Sequence, residues 1–364
     1  MQHTVFYNEH LTHSAKMVEF CGWNMPINYG SQIKEHEAVR TDAGMFDVAH
    51  MVITDIRGSG SKDFLRYLLS NDVAKLEQQG LGKALYSGML NELGCVIDDL
   101  IVYYTDFGYR IISNAGTAEK DQLWMKRQSE KFNVELILRD DLSILAVQGP
   151  KAITKLIAAK PELADKLSNL KPFSAIADAG IFYARTGYTG EDGLEIVLPN
   201  SQAVSFWRML VAQGVIPCGL AARDTLRLEA GMNLYGHDMD ESISPLECNM
   251  DWVVDLSDES RSFIGRDAYQ KLKTSVALFK QVGLVLLGRG VLREGQKIIH
   301  DGAEIGVITS GTFSPSLKQS IAIARIKKDF LDEIKTVAVD IRGNLEPVKV
   351  VKLPFVRRGK RVYE

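Results

Sequence analysis

Two adjacent carboxylates, Asp98 and Asp99, interrupt the apolar run CVIDDLIVYY from Cys95 to Tyr104. A β-strand alternates its side chains between faces, so the two point opposite ways. One can face solvent. The other meets the apolar side, where a carboxylate must be paired, hydrogen-bonded or protonated. A β-bulge, or a turn holding both groups, explains the pair equally well. A second candidate is Glu195, in TGYTGEDGLEIVLP from Thr186. Gly187, Gly190 and Gly193 make a flexible turn there before a strand resumes. Alternation alone also fits Glu195 as an outward-facing strand residue. The third feature is GLAARDTLRLEAGMNLYG from Gly219, a helical pattern with Arg223 and Arg227 at i, i+4 on one face. A salt-bridged or solvated face is the commoner fate of such a pair. Asp47 and His50 could form an acid–base pair, but a structural histidine at a strand entrance is the commoner outcome.

Other chemistries find no support. Cys21, Cys95, Cys218 and Cys248 are scattered without a C-x-x-C pair, which argues against a zinc ribbon, a dithiol centre or a disulfide scaffold. His10 and His13 read as solvated residues near the terminus rather than metal ligands. Gly58-Ser59-Gly60 lacks the third glycine of a dinucleotide fingerprint, and Gly80-Leu81-Gly82-Lys83 lacks Walker spacing. The 364 residues carry a net charge of −3, so nothing advertises a nucleic-acid surface. At 46% hydrophobic and 24% charged residues, the chain is neither a disordered tail nor a fibre. No uncharged run reaches the ~18 residues of a membrane span. The N-terminus resembles neither a secretory signal nor a presequence, so a cytoplasmic location is expected.

These residues need elements to position them. Ser31 is placed to cap a helix that Gly44 ends. From Met51 to Arg139 the pattern is strand, helix capped by Ser61, strand from Lys83, turn at Asn91–Gly94, the Cys95–Tyr104 strand, and a strand from Tyr109. A helix capped by Thr117 and a strand from Val134 follow. That order is a split β-α-β unit, an antiparallel sheet with helices on one face. A similar order follows: strand SILAVQG, a helix opened by Pro150, strands near Ile181 and Leu194, and a helix from Ser201 to Gly214. Beyond Gln281, short β-rich runs punctuated by Gly, Pro and Asp predict a small all-β barrel or sandwich. Asp255–Arg261 and Lys271–Lys280 read as linkers.

The three candidate motifs, in this order and spacing, resemble the T-protein family of the glycine cleavage system. The resemblance runs nearly end to end, through GWNMPINYGSQIKEHEAVRTDAGMFDVAHM, ALYSGMLNELGCVIDDLIVYY, TGYTGEDGLEI, CGLAARDTLRLEAGMNLYGHDMDE, GVITSGTFSPSL and PFVRRGK. Cys95 replaces the second glycine of the family's Gly-Gly pair, and Ala49 stands where a serine is common. The resemblance implies an α+β fold of three domains in a cloverleaf around a central folate channel. Residues 1–50 with 141–260 would form a discontinuous first domain, 51–140 the second, split β-α-β domain, and 275–364 a C-terminal β-barrel.

The implied activity is tetrahydrofolate-dependent aminomethyl transfer from lipoylated H-protein. The glycine decarboxylase (P-protein) and dihydrolipoyl dehydrogenase (L-protein) would act in the same system. By the family motif, Asp98 is the catalytic carboxylate beside nitrogen-10 of the folate, and Glu195 holds the pterin edge. Arg223 contacts the folate, Tyr86, Asn114 and Tyr188 line the pocket, and Met51 adds apolar contact. Arg357 and Arg358 are candidates for the folate tail. A folate-binding relative serving iron–sulfur clusters would carry a K-G-C-Y-x-G-Q-E stretch, where this chain has GYTGEDG. A flavoenzyme relative would need a flavin-binding half, and a pure scaffold would not need Asp98, Glu195 and Arg223 together. Methylene transfer leaves the carbon's oxidation level unchanged, so no metal or flavin is expected. The purified protein should be colourless, and transfer activity should survive exhaustive EDTA dialysis. A stoichiometric metal by elemental analysis, or activity restored by one ion, would contradict this.

Overall fold

A computed structural model describes residues 1–274, 278–331 and 334–364. Three sheet systems organise it. A six-stranded sheet runs in the order Ala175–Asp178, Ile181–Ala184, Gly193–Pro199, Leu142–Gln148, Gly44–Asp47, Ile216–Pro217. It gathers strands from both sides of the 51–140 segment, and only its last pair is parallel. A five-stranded antiparallel sheet runs Ala84–Leu90, Val96–Thr105, Gly108–Ser113, Val52–Arg57, Glu135–Leu138. Strands Phe279–Leu286, Gln319–Lys327, Ala303–Ser314, Lys297–His300, Thr336–Ile341 and Asn344–Val351 close into a barrel.

Apolar alternation dictates how the first two sheets stack. On the five-stranded sheet, Leu100, Val102 and Ile111 pack under helices Ser61–Leu68 and Ala118–Ser129. The opposite face, with Ile53, Tyr103 and Ile112, packs on Ala146, Phe182 and Ala184 of the six-stranded sheet. That sheet's outer face carries helices Ala152–Ala159 and Asn200–Ala212 through Leu145, Ile196, Leu156 and Trp207. The two sheets therefore lie face to face with their helices outside. Both faces of every central strand are buried, which is why the strands read as continuous apolar runs.

Several local expectations are corrected. Helix Tyr7–Thr12 and the hairpin Lys16–Phe20/Trp23–Asn28 precede the Ser31 cap and were not legible from pattern. The capped helix Gln32–Thr41 stops before Gly44, which instead opens a strand. A Cβ on Gly44 would lie 2.5 Å from Val39 and 2.7 Å from Cys218, so the glycine is a packing requirement. Ser61 is the first helical residue, with Gly60 as the cap. Thr117 makes no cap bond; its hydroxyl donates to Asp98. Pro150 precedes its helix, whose cap is Lys151. His10 is fully buried rather than solvated: its Nε2–H donates to Asp47 at 2.9 Å, and its Nδ1 accepts from Tyr29 at 2.7 Å. Asp47 thus belongs to His10, not to His50. Asp255–Arg261 is docked rather than a free linker, with Arg261 donating to the carbonyls of Leu69 and Ser70 at 2.6 and 2.8 Å. Of Lys271–Lys280, residues 275–277 lie outside the described residues; Lys271 to Thr274 end a helix, and Phe279 opens the barrel.

One buried carboxylate bolts the barrel to the rest. Glu229, at the end of helix Leu220–Glu229, has no exposed surface. It accepts from Arg40 at 2.7 and 3.1 Å, from the Ser316 hydroxyl at 2.7 Å, and from Ser314. His36 lies 3.3 Å away. These donors hold the Glu229 carboxyl down at about 2 against burial. Glu229→Ala leaves Arg40 buried without that partner, and denaturant unfolding at pH 7 should show a loss of about 3–5 kcal/mol. A depressed carboxyl stabilises above its unfolded value and loses that contribution as pH falls through its folded value. The wild-type advantage should therefore shrink between pH 4.5 and pH 2. A loss that stays constant across that window would contradict the assignment.

Candidate functional site

A cavity of about 1670 Å³ opens where the two facing sheets part and the barrel closes the gap. Its wall takes Tyr86, Asp99 and Asn114 from the second sheet, Glu195 and Arg223 from the first unit, and Phe313 and Arg357 from the barrel side. A typical small-molecule pocket occupies ~300–1,000 Å³. This one has room for a flat ligand and a second reacting group together.

A register shift at Ile97 precedes the Asp pair on strand Val96–Thr105, so a bulge does adjoin it; beyond the shift the pairing is regular, with Asp98 opposite Met89 and Asp99 opposite Gly88. Alternation therefore separates the two carboxylates, and it does so opposite to the assignment made from the family motif. Asp98 turns toward the helices and has no exposed surface. Asp99 faces the cavity. The expectation that Asp98 meets the ligand is corrected on this geometry. Asp99 accepts from the Tyr86 hydroxyl at 2.7 Å and from Asn114 Nδ2 at 3.0 Å. Burial, and then the charge of Asp98, push the Asp99 carboxyl up to about 7 despite those donors. An acid poised there can hold or release a proton near neutrality.

Across the cavity, Glu195 sits on strand Gly193–Pro199, held by the Thr186 hydroxyl at 2.6 Å, which itself lies 2.9 Å from the Tyr103 hydroxyl. The glycine turn before it is tightly fitted: a Cβ on Gly187 would lie 2.0 Å from Gln148. Glu195 is a cavity residue, not an outward one. Arg223 stacks over the Tyr188 ring at 4.8 Å, and Tyr188 is fixed by donating to the Asn233 carbonyl. The buried Nη1 of Arg223 has no hydrogen-bond partner among the described residues. Arg227, four residues on, has the salt-bridged fate, paired with Asp224 at 2.9 Å and Asp238 at 2.8 Å. Met51 lines the same wall, and Arg357 and Arg358 stand exposed at its edge. The structure thus brings together every residue expected from sequence except Asp98.

Sequence reasoning missed two wall residues, Trp252 and Tyr235, and read a third, His50, as a structural histidine. Trp252 is 64% exposed and stacks on Tyr86 with ring centroids 5.7 Å apart. Tyr235 lines the wall while its hydroxyl contacts Lys120 and the Val96 carbonyl. His50 faces the cavity, and burial holds its imidazole down at about 4, so it is neutral at pH 7. An exposed tryptophan beside a half-buried tyrosine leaves no mark on periodicity. Among the described residues, no group of three or more His, Cys, Asp or Glu side chains is arranged to hold a metal ion. No helix described is long and apolar enough to cross a membrane.

A three-lobed α+β fold thus places an acid, a second carboxylate and a guanidinium with no ion-pair partner among the described residues around one large cavity. Comparison with known proteins is specific. The GCVT N-terminal domain matches residues 6–258, and the glycine cleavage T-protein C-terminal barrel domain matches residues 280–357. An aminomethyltransferase of Chromobacterium violaceum is 58% identical over 361 residues, covering 99% of this chain and 98% of that protein. An aminomethyltransferase of Neisseria meningitidis serogroup A is 56% identical, with the same coverage. The crystal structure of glycine cleavage system aminomethyltransferase T from Bartonella henselae superposes with a TM-score of 0.90 at 32% identity, covering 100% of this chain and 99% of that one. The chain belongs to the glycine cleavage T-protein family of aminomethyltransferases.

Thr186→Val tests the orientation of Glu195. Losing a charge-assisted hydrogen bond is worth about 1.5–3 kcal/mol, so reduced-folate affinity should fall about tenfold or more by calorimetry, with an unchanged melting temperature. Unaltered affinity would show that Glu195 needs no such support.

Proposed function

We propose that the chain transfers the methylene of an aminomethyl group from the lipoyl arm of H-protein to tetrahydrofolate. The products are ammonia, 5,10-methylenetetrahydrofolate and dihydrolipoyl H-protein. Nitrogen-5 attacks the methylene as ammonia leaves, and nitrogen-10 closes the ring as the thiol departs. Two N–H protons are released; one leaves with ammonia and the other ends on sulfur. The observation that carries this reading is one cavity, walled by all three lobes, that holds a poised carboxylic acid together with a separate carboxylate, Glu195, and a guanidinium, Arg223.

Asp99 is the group beside nitrogen-10. It orients that nitrogen and accepts its proton as the ring closes, while Tyr86 and Asn114 keep the carboxylate aimed. Glu195 accepts two parallel N–H donors from the pyrimidine edge. Arg223 donates to a ring oxygen. Tyr188 and Met51 pack the flat ring system, and Arg357 with Arg358 attracts the anionic glutamate tail. The lipoyl arm enters the remaining volume from a docked H-protein. P-protein and L-protein complete the cycle on the same arm, in the cytoplasm. The carbon keeps its oxidation level throughout, so the reading needs neither metal nor flavin.

Asp99→Asn should cut turnover with aminomethyl-loaded H-protein by about 10²–10⁴ while folate still binds. Glu195→Gln should instead weaken folate binding about ten- to a hundredfold, with a smaller effect on turnover at saturation. Near wild-type turnover in Asp99→Asn would refute the role given to that carboxylate.

A further inference from the structure

We infer that Asp98 is a positioning residue that, backed by Asp121, sets the orientation and charge state of Asp99 from behind the strand. The inference rests on the role of Asp99 proposed above and explains why two carboxylates stand side by side.

Asn114 couples the two faces. Its Nδ2 donates to Asp98 Oδ1 at 2.9 Å and to Asp99 Oδ1 at 3.0 Å. Its backbone N–H approaches Asp98 Oδ2 at 3.4 Å, and the Thr117 hydroxyl donates to the same oxygen at 2.9 Å. Asp98 thus fixes the amide that aims Asp99. Behind Asp98 lies Asp121, on helix Ala118–Ser129, also without exposed surface. Neither Asp121 oxygen has a donor among the described residues, and the group beside it is the Asp98 carboxylate. Two carboxylates meet in a buried site only by sharing a proton. Burial and Asp98 raise the Asp121 carboxyl far above the usual range, consistent with Asp121 holding that proton. The pair then carries one negative charge.

That charge faces few others. From the helix of Asp121, Lys120 is neutralised by Glu241 at 2.8 Å, and its ammonium also donates to Tyr235. Tyr86, Tyr188 and Cys248 surround Asp99, and burial keeps all three protonated. The nearest like charge to Asp99 is therefore Asp98. Tyr86 and Asn114 favour the ionised form of Asp99, while Asp98 and burial oppose it. The balance gives a carboxyl that takes and returns a proton without becoming a permanent anion.

The test is the pH dependence of turnover, with wild type, Asp98→Asn, Asp121→Asn and Asp99→Asn assayed on aminomethyl-loaded H-protein and tetrahydrofolate. Asp98→Asn keeps an acceptor for Asn114 but removes the charge. Its acid limb should move about one pH unit lower, because Asp99 then ionises more readily. Asp121→Asn leaves Asp98 charged and should move the limb by less. The double variant Asp98→Asn/Asp121→Asn keeps the shape of the pair as two amides and should shift like Asp98→Asn; it serves if the single variant folds poorly. Acid limbs superimposing on wild type in both charge-free variants would overturn the inference. Activity retained in Asp99→Asn would instead overturn the role of Asp99 itself.

Discussion

The contact between Arg40 and Glu229 sets the positions of most other parts of the site. Glu229 ends the helix that carries Arg223 six residues earlier, so fixing that end fixes the depth at which the guanidinium enters the cavity. Arg40 also donates to the Thr189 carbonyl at 2.7 Å and to Glu191 at 2.8 Å, which anchors the glycine turn leading into Glu195. From the other side, Ser314 and Ser316 bring the barrel to the same carboxylate. Removing two opposite charges from water costs several kcal/mol per ion, and only dense hydrogen bonding offsets it. The cluster supplies that bonding from three separated stretches of chain. Its strength therefore also fixes one docking of the barrel, the one that brings Ser314 and Ser316 to Glu229.

The same logic of buried charge divides the strand Val96–Thr105 into two functions. Its helix-facing side carries Asp98 among Leu100 and Val102, and its sheet-facing side carries Asp99 with Ile101. A solvated strand would let either carboxylate ionise freely. With both faces covered, each needs its own solution. Asp98 finds Thr117, Asn114 and a protonated neighbour, while Asp99 finds Tyr86, Asn114 and the cavity. The cavity-facing group is the one left free to exchange partners, and that freedom is what proton chemistry requires.

This covering also explains what the sequence disclosed and what it hid. The barrel was legible because short β-branched runs with Gly and Asp between them have few other solutions. The helix bearing Arg223 and the strand bearing Glu195 were legible from spacing and from the glycine turn. The choice within the Asp pair was not. Alternation states that the two face opposite ways, but both faces are apolar, so no polar face marks which way the cavity lies. Position in the family motif pointed to Asp98, whereas Asp99 is the one that faces the cavity, and only the register, with Asp99 opposite Gly88, separates them. The hairpin Lys16–Phe20/Trp23–Asn28 was hidden for another reason. Its residues are mostly half-buried, so it lacks the alternation of a core strand. His10 looked solvated because its partners, Tyr29 and Asp47, lie 19 and 37 residues away.

Arg223 stands apart from the other deeply placed cations among the described residues. Nearly every other deeply placed cation here has an anion: Arg40 has Glu229, Arg110 has Asp55 at 2.7 Å, and Arg227 has Asp238. Arg223 has the face of Tyr188 instead, and burial lowers its affinity for a proton without a compensating ion pair. Glu195 is near enough to be felt, yet it is held by Thr186 rather than by the arginine. Closing that ion pair would stabilise the chain and fill the site with its own charges. Keeping Glu195 and Arg223 apart leaves one acceptor and one donor aimed into the same space. A buried polar group without a partner costs about 1–3 kcal/mol, and a ligand that satisfies it recovers that amount as affinity. A flat ring with N–H donors on one edge and a carbonyl beside them satisfies both groups at once. On the proposed reading, a ligand lacking either would leave one of them buried and unmet, so an Arg223 without an ion-pair partner among the described residues would be a source of discrimination.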